Sequence, residues 1–420
     1  MASNGATEAD VLIVGSGPGG SAAAYHLARH GVDVLMVDRA GFPREKVCGD
    51  GLTPRGVRAM IDMGIDPDDP GFTRADGLRV YRDDRLVLSL PWPELSSFPN
   101  VGVVRTRLDF DHLLVQQAGK AGARLWERTE AVNPIEDSSG WVTGATVRRL
   151  NGEAKPKPQD VRARFVLAAD GAASRFGARA GVKRDASRPI GIAARRYYRT
   201  TRDVGPWLES WLDLWENGEM LPGYGWIFPV SEGVVNVGAG LLNTYKGFKD
   251  VSAKRVFDIF VSMLPEDWGI GEETAEGPLL SGPIPMGMNR TPLATPGMLL
   301  IGDAGGLVNP FNGEGIAYAM ESGELAAELV HDALASNRPG LAQTYPVLLR
   351  ERYGRYFHLG RKFVGAIGNP AVMHFATKHG LHREWLMKFA MRVLANLTDG
   401  RKGDARDKLM YAMERMAPAS

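Results

Sequence analysis

The sequence predicts an α/β (α+β) protein in which a βαβ lobe is interleaved with an antiparallel-sheet lobe and followed by a helical C-terminal region. Three observations carry this. The stretch DVLIVGSGPGGSAAAYHLARHGVDVLMVDR joins an apolar strand, a glycine turn, an alanine-rich helix and a second strand ending at Asp38. Two later apolar strands close on Asp–Gly or Gly–Asp pairs, RFVLAADG at 164–171 and MLLIGD at 298–303. From 190 to 245 apolar and polar residues alternate (IAARRYY, WLDLW, YGWIFP, VVNVGAGL), which is the period of a strand.

Taken in order, a polar leader (Met1 to Ala9) precedes the βαβ unit, whose helix runs to about His30. Residues 40–110 are broken by Gly and Pro, with short strands expected at LRVYRD and RLVLSL. Helical spacing follows in LDFDHLLVQQAGKAG, then strands over 125–170 separated by a turn at 137–140 and by the loop NGEAKPKPQD. A helix is expected at 251–264, a long one from about 313 to 335, and helices throughout the region after 340. No repeat or low-complexity tract is present. The expected division is residues 1–60, 100–185 and 295–335 in the βαβ lobe, 60–100 and 186–294 in the sheet-rich lobe, and 336–420 in the helical region.

Bulk properties exclude several classes of function. A chain of 420 residues has ample capacity to bury a core, and a formal net charge of +1 with 24% charged residues gives no basic excess for nucleic acid. The single cysteine, Cys48, cannot form an internal disulfide. With no cationic start leading into an apolar segment, and no run of eighteen apolar residues, the expectation is a cytoplasmic protein whose membrane contact, if it has any, is peripheral. No metal-ligand spacing stands out.

Gly15, Gly17 and Gly20 form G-x-G-x-x-G at the strand-to-helix turn. The first allows the turn, the second the approach of a pyrophosphate, and the third close packing of the helix whose N-terminus faces the phosphates. Asp38, eighteen positions beyond Gly20, is placed to accept from a ribose hydroxyl. In YGWIFP, residues Tyr224, Trp226 and Phe228 share one face of an extended strand while Gly223 and Gly225 leave the other face nearly bare. That face is either sheet core or a wall for a long apolar ligand, and periodicity alone favours the core.

With these motifs in this order, the sequence resembles the p-hydroxybenzoate hydroxylase superfamily, and within it the FAD-dependent geranylgeranyl reductase family, over most of residues 1–330. The resemblance implies a Rossmann-like lobe binding FAD through Gly15, Gly17, Pro18, Gly20, Asp38 and Arg39, with Arg105 near the flavin and Asp170 and Gly171 in the middle motif. It implies that Gly302 and Asp303 reach the ribityl chain, and that Gly313, Gly315 and Ile316 open a helix toward the flavin N1/O2 edge. A helix N-terminus suits that edge because reduced flavin carries negative charge there. The segment KVCGDGLTP resembles the family's cysteine-glycine motif, which implies that Cys48 and Gly49 lie beside the flavin. Y-x-W-x-F-P followed by G-x-G (Tyr224, Trp226, Phe228, Pro229, Gly238, Gly240) resembles its substrate-cavity signature, and the whole set looks most like the menaquinone-reductase type.

The implied activity is reduction of an isolated C=C bond in a prenyl chain, carried by a geranylgeranyl group or by a polyprenyl quinone such as menaquinone. An external reductant (NAD(P)H, reduced flavin or ferredoxin) supplies electrons, and the sequence does not choose among them. Cys48, Tyr224 and Trp226 are the candidate catalytic residues; Cys48 and Tyr224 are both candidate proton sources that the sequence does not separate. Two alternatives share the fold. One is an aromatic or polyketide monooxygenase, whose G-D-A-A-H feature is absent from Gly302-Asp303-Ala304-Gly305-Gly306. The other is a flavin-dependent halogenase, whose W-x-W-x-I-P strand differs at Tyr224 and Phe228 and which needs a reactive lysine, with Lys46 the nearest. The C-terminal helices mix aromatic and basic positions; packing against the rest of the protein accounts for this pattern, and so does docking on lipid.

Overall fold

The computed structural model describes residues 7–82, 84–150, 152 and 157–419. Most of the leader and half of the loop NGEAKPKPQD lie outside the described residues. Strands Thr7–Val14 and Val34–Val37 pair in parallel, bridged by the helix Pro18–Arg29, because VLIV and VLMV are apolar on both faces and are covered on both. Around them an eight-stranded sheet runs in the order Ala294–Thr295, Met298–Leu300, Pro158–Ala168, Thr7–Val14, Val34–Val37, Arg124–Trp126. Strands Thr129–Glu136 and Val142–Arg149 branch from Pro158–Ala168 as an antiparallel flap. The long helix Ile316–Ala335 lies beside Pro18–Arg29, and Gly323 makes this close: a Cβ there would stand 2.4 Å from the Gly19 carbonyl oxygen.

A seven-stranded sheet forms the second layer, in the order Ala275–Pro285, Ile190–Arg199, Val234–Leu242, Gly223–Ser231, Trp207–Trp211, Gly77–Arg82, Arg85–Pro91. All its pairings are antiparallel except Trp207–Trp211 with Gly77–Arg82. One face packs on the helix Ala253–Met263 through Val256, Phe257 and Phe260. The expectation that Gly223 and Gly225 leave this face bare is corrected here. A Cβ on Gly225 would lie 2.3 Å from the Phe260 ring, so the glycine is the seat of that ring. The other face carries the aromatic row toward the first lobe.

The C-terminal region is helical at Tyr345–Leu349, Arg355–Ile367, Pro370–Gly380, Glu384–Ala395 and Ala405–Met416. It is tied to the core by a buried charge cluster. Arg55 Nε meets Glu321 Oε1 at 2.8 Å and its Nη1 donates to the Asn396 carbonyl at 3.0 Å, while Tyr353 donates its hydroxyl to Glu321. A buried guanidinium is tolerable only when paired and hydrogen-bonded in this way.

Candidate functional site

The glycine turn has the geometry that its residues imply. Gly15 sits at φ +97° with the Ala169 carbonyl oxygen 2.4 Å from where a Cβ would stand, and a Cβ on Gly20 would fall 1.9 Å from the Gly15 oxygen. Gly17 differs, meeting only side-chain ends, Arg44 Nη2 at 3.5 Å and Asp111 Oδ2 at 4.0 Å, so its face is open to a ligand. Pro18 is the first residue of the helix, where its missing N–H costs nothing. Within the same turn the Ser16 hydroxyl is buried without a hydrogen-bond partner. Asp38 is buried, accepts from the Ser16 N–H at 2.8 Å and from the Ala40 N–H at 2.9 Å, and lies 4.0 Å from Arg44. The open Gly17 face, the orphan hydroxyl and the carboxylate at the strand end fit the pyrophosphate and ribose of a dinucleotide. Arg39 points to solvent at the rim, and Arg44, which also bonds Asp111 at 2.8 Å, is the cation that faces this turn.

Two of the remaining expected residues are used differently. The Asp170 carboxylate is taken up in its own loop, accepting from Ser174 Oγ at 3.0 Å and the Phe176 N–H at 2.8 Å, so it shapes the Asp170–Gly171 turn. Arg105 turns outward, lying 4.8 Å over the Phe72 ring and donating to the Pro70 carbonyl. Arg107, two residues on, takes the inward place. Thr106 caps the helix Arg107–Lys120, which rotates the first helical residue inward, and Arg107 pairs with Asp111 one turn later at 2.5 and 2.7 Å. Burial pulls the Arg107 guanidinium down but Asp111 outweighs it, so it stays charged.

The distal motif forms the floor of the cleft. Gly302 has φ +57° and gives its N–H to Ser322, and Asp303 follows with its carboxylate 3.3 Å from the Cβ position of Gly315. Burial raises the Asp303 carboxyl, opposed by the nearby charges of Lys46, Arg107 and Arg290. The helix Ile316–Ala335 starts at Gly315 with no side-chain cap and no acid in its first turn, leaving its N-terminal N–H groups for a ligand. Beside it Glu314 accepts from Thr53 at 2.6 Å, and burial pushes its carboxyl up to about 7.

Tyr224, Trp226 and Phe228 stand in a row with ring centroids 5.5 and 6.2 Å apart. The register gives the G-x-G its reason: Tyr224 is opposite Gly240, Trp226 opposite Gly238 and Phe228 opposite Asn236. A Cβ on Gly238 would lie 2.1 Å from the Trp226 ring, so the indole lies flat across the neighbouring strand. Pro229 is buried just before a register shift. At the near end the Tyr224 hydroxyl donates to the Asn312 carbonyl at 3.2 Å, and Gly313 lies against it. The aromatic row therefore abuts the loop that opens the long helix.

Cys48-Gly49-Asp50-Gly51 lies along the row. The bare faces of its glycines meet the row, a Cβ on Gly49 standing 3.2 Å from Trp226 Nε1 and one on Gly51 3.2 Å from Phe228. The Cys48 sulfur accepts from the Asp50 N–H at 3.3 Å; burial raises its thiol, and the Arg107 charge opposes that rise. Burial likewise pushes Tyr224 up to about 12. Both groups hold their protons at neutral pH.

Sequence reasoning missed the group that fixes this arrangement. Asp50 is buried at φ +66°, where a non-glycine residue is strained. Its carboxylate accepts from the Tyr197 hydroxyl at 2.6 Å, from Asn236 Nδ2 at 2.8 Å and from the Arg107 N–H at 3.3 Å. Asn236 in turn donates to the Cys48 carbonyl at 3.0 Å and accepts from Trp226 Nε1 at 3.0 Å. Burial raises the Asp50 carboxyl to about 6 despite these donors. An acid inside a glycine-flanked motif was the one signal available in the sequence.

Comparison with known proteins agrees with this architecture. The FAD binding domain family matches residues 8–196. The menaquinone reductase of Mycolicibacterium smegmatis is 36% identical over 95% of this chain and 94% of its own length. The digeranylgeranylglycerophospholipid reductase of Thermoplasma acidophilum is 34% identical over 82% of this chain and 84% of its length. Among solved structures, a geranylgeranyl bacteriochlorophyll reductase-like protein from Thermoplasma acidophilum superposes with a TM-score of 0.76 at 27% identity, covering 97% of this chain and all of that one.

Proposed function

This chain belongs to the family of FAD-dependent menaquinone and geranylgeranyl reductases, an oxidoreductase of prenyl-chain double bonds, and on that premise we propose how it works and on what. The substrate is the tail of a polyprenyl quinone such as menaquinone, a reading supported by the end-to-end match to a menaquinone reductase against the shorter match to the archaeal lipid enzymes. The carrying observation is the aromatic row: it runs along the Cys48 loop and ends on the Asn312–Gly313 loop, where the cofactor residues gather. Residues 1–60, 100–185 and 295–335 hold FAD, and 60–100 with 186–294 hold the prenyl chain.

Bound FAD supplies the hydride. Gly15, Gly17, Gly20, Asp38 and Arg44 hold its dinucleotide part, and Asp303 with the start of the long helix holds the flavin end. An isolated alkene has no carbonyl to polarise, so the protein's part is orientation and exclusion of water. Tyr224, Trp226 and Phe228 keep the chain extended along the strand. Cys48 gives the proton: the Asp50 N–H donates to its sulfur and the Arg107 charge acts on it, which together stabilise the thiolate left behind. Tyr224 lacks such a donor, since its hydroxyl is given to a carbonyl, and it serves as wall.

Dithionite-reduced enzyme incubated without oxygen with a polyprenyl quinone tests this. The expected result is a two-hydrogen mass gain in the tail, lowered on the order of 10²-fold or more in Cys48→Ser and far less in Tyr224→Phe. A requirement for oxygen, or equal losses in both variants, refutes it. No helix among the described residues is long and apolar enough to cross a membrane, so the enzyme reaches its lipid-borne substrate by peripheral contact.

A further inference from the structure

The helix Pro370–Gly380 is thinly packed: Pro370, Met373, His374 and Gly380 are half-buried, with the His374 ring edge-on to Trp215 at 5.6 Å. Thr377 alone among its residues is fully buried, although PAVMHF is largely apolar. Phe375 is 66% exposed and Val372 42%, and in the next helix, Glu384–Ala395, Trp385 is 57% and Leu386 38% exposed. Of the two accounts of this region, internal packing leaves Val372 and Phe375 of the first helix uncovered. Exposed rings on two successive helices, with Gly380 of the first against Leu386 of the second, mark a surface that something covers.

Charge and continuity say what covers it. Between 372 and 390 the cations are Lys378, Arg383 and Lys388, joined by His374, His379 and His382, and the single acid, Glu384, is already bonded to Lys388 at 2.6 Å. Rings set among cations fit an anionic lipid surface. A second copy of this chain seated on the same face would bring those cations against each other, which disfavours it as the occupant. On the inner side, Leu381, Met387 and Met391 share a buried cluster with Leu208 and with Phe228, the far end of the aromatic row.

We propose that the helices Pro370–Gly380 and Glu384–Ala395 form a membrane-docking surface that sinks Phe375 and Trp385 into a bilayer containing anionic lipid and turns the Phe228 end of the aromatic row toward it. Only the purpose of this docking rests on the prenyl-chain reading. The docking itself rests on the exposed rings and their charges.

The test uses the full-length holoenzyme and vesicles of phosphatidylcholine with or without phosphatidylglycerol. Phe375→Ser with Trp385→Ser lowers co-sedimentation with anionic vesicles by about tenfold or more, because partial burial of an aromatic ring supplies at least that factor. Lys378→Glu with Arg383→Glu weakens binding to anionic vesicles and leaves the weak binding to neutral ones. FAD content and melting temperature stay unchanged, since these side chains contact solvent. Unchanged sedimentation of the ring variant overturns the proposal, as does a wild-type dimer that the same variant dissolves. Detergent-solubilised polyprenyl quinone separates the two readings. If the ring variant reduces it as the wild type does, docking serves substrate access; if neither enzyme reduces it while vesicle binding still follows the rings, docking stands and the prenyl-chain reading falls.

Discussion

Asp50→Asn tests the internal wiring of the site most directly. Asparagine tolerates the left-handed backbone at φ +66° and has the same shape, so the loop keeps its path. What changes is that three donors, Tyr197 Oη, Asn236 Nδ2 and the Arg107 N–H, now face a side chain that is half donor. Tyr197 can turn to accept, whereas the Asn236 amide must flip. Flipping takes its oxygen from Trp226 Nε1, which sits 3.0 Å away in a buried position. An orphaned buried N–H costs about 1–3 kcal/mol. Against this, the rise of the Asp50 carboxyl from 3.8 to about 6 means that burying the anion costs about 3 kcal/mol at neutral pH, and the substitution removes that cost. The two nearly cancel, so the melting temperature moves by only a few degrees, at ~2–4 °C per kcal/mol for a large chain. Catalysis does not share the cancellation, because the indole and the Cys48 carbonyl lose their common holder. The expected kcat falls on the order of 10–100-fold with KM and FAD content little changed.

The pH profile separates positioning from general loosening. Asp50 is faced by Arg107 from the helix Arg107–Lys120, by Arg195 and Tyr197 from one strand, by Asn236 from another and by Cys48 from its own loop, with Glu45 of that loop paired to Arg195. Wild-type kcat loses rate as pH falls through about 6, where the carboxylate takes a proton and the amide is free to turn, and Asp50→Asn lacks this limb. A variant with wild-type kcat and an unchanged acid limb would refute the positioning role.

Other predictions concern packing, charge and cofactor. Gly238→Ala forces a Cβ 2.1 Å from the Trp226 ring and is expected to cost about 1–3 kcal/mol with a shift in tryptophan emission, read by thermal unfolding and fluorescence. Glu314 has its carboxyl raised from 4.5 to about 7, so the native state binds its proton more readily than the unfolded chain and stability from this group falls as pH rises through that window; Glu314→Gln flattens this slope between pH 5 and 8 in urea unfolding. Gly20→Ala, with a Cβ 1.9 Å from the Gly15 oxygen, prevents stable folding, whereas Gly17→Ala folds and retains FAD poorly on gel filtration, because its Cβ meets only the side-chain ends of Arg44 and Asp111 and the space a phosphate takes.

Much of this protein is local and was legible in the chain. Strand period, the glycine turn, Asp38 at a strand end and the alternate rings of Tyr224–Phe228 are all set by backbone sterics and the two-residue repeat of a strand, which neighbours in sequence suffice to specify. What lies on the far side of a residue is not local. Only the sheet register set Tyr224 against Gly240 and Trp226 against Gly238, turning two motifs into one surface. Only the cap at Thr106 decided that Arg107 and not Arg105 faces inward, since the helix begins between them and each helical residue turns the side-chain direction by about 100°. Asp50 gained its meaning from Tyr197 and Asn236, almost 150 and 190 residues away in sequence. The exposure of Phe375 and Trp385 likewise follows from what the fold leaves uncovered, which no helical period can state.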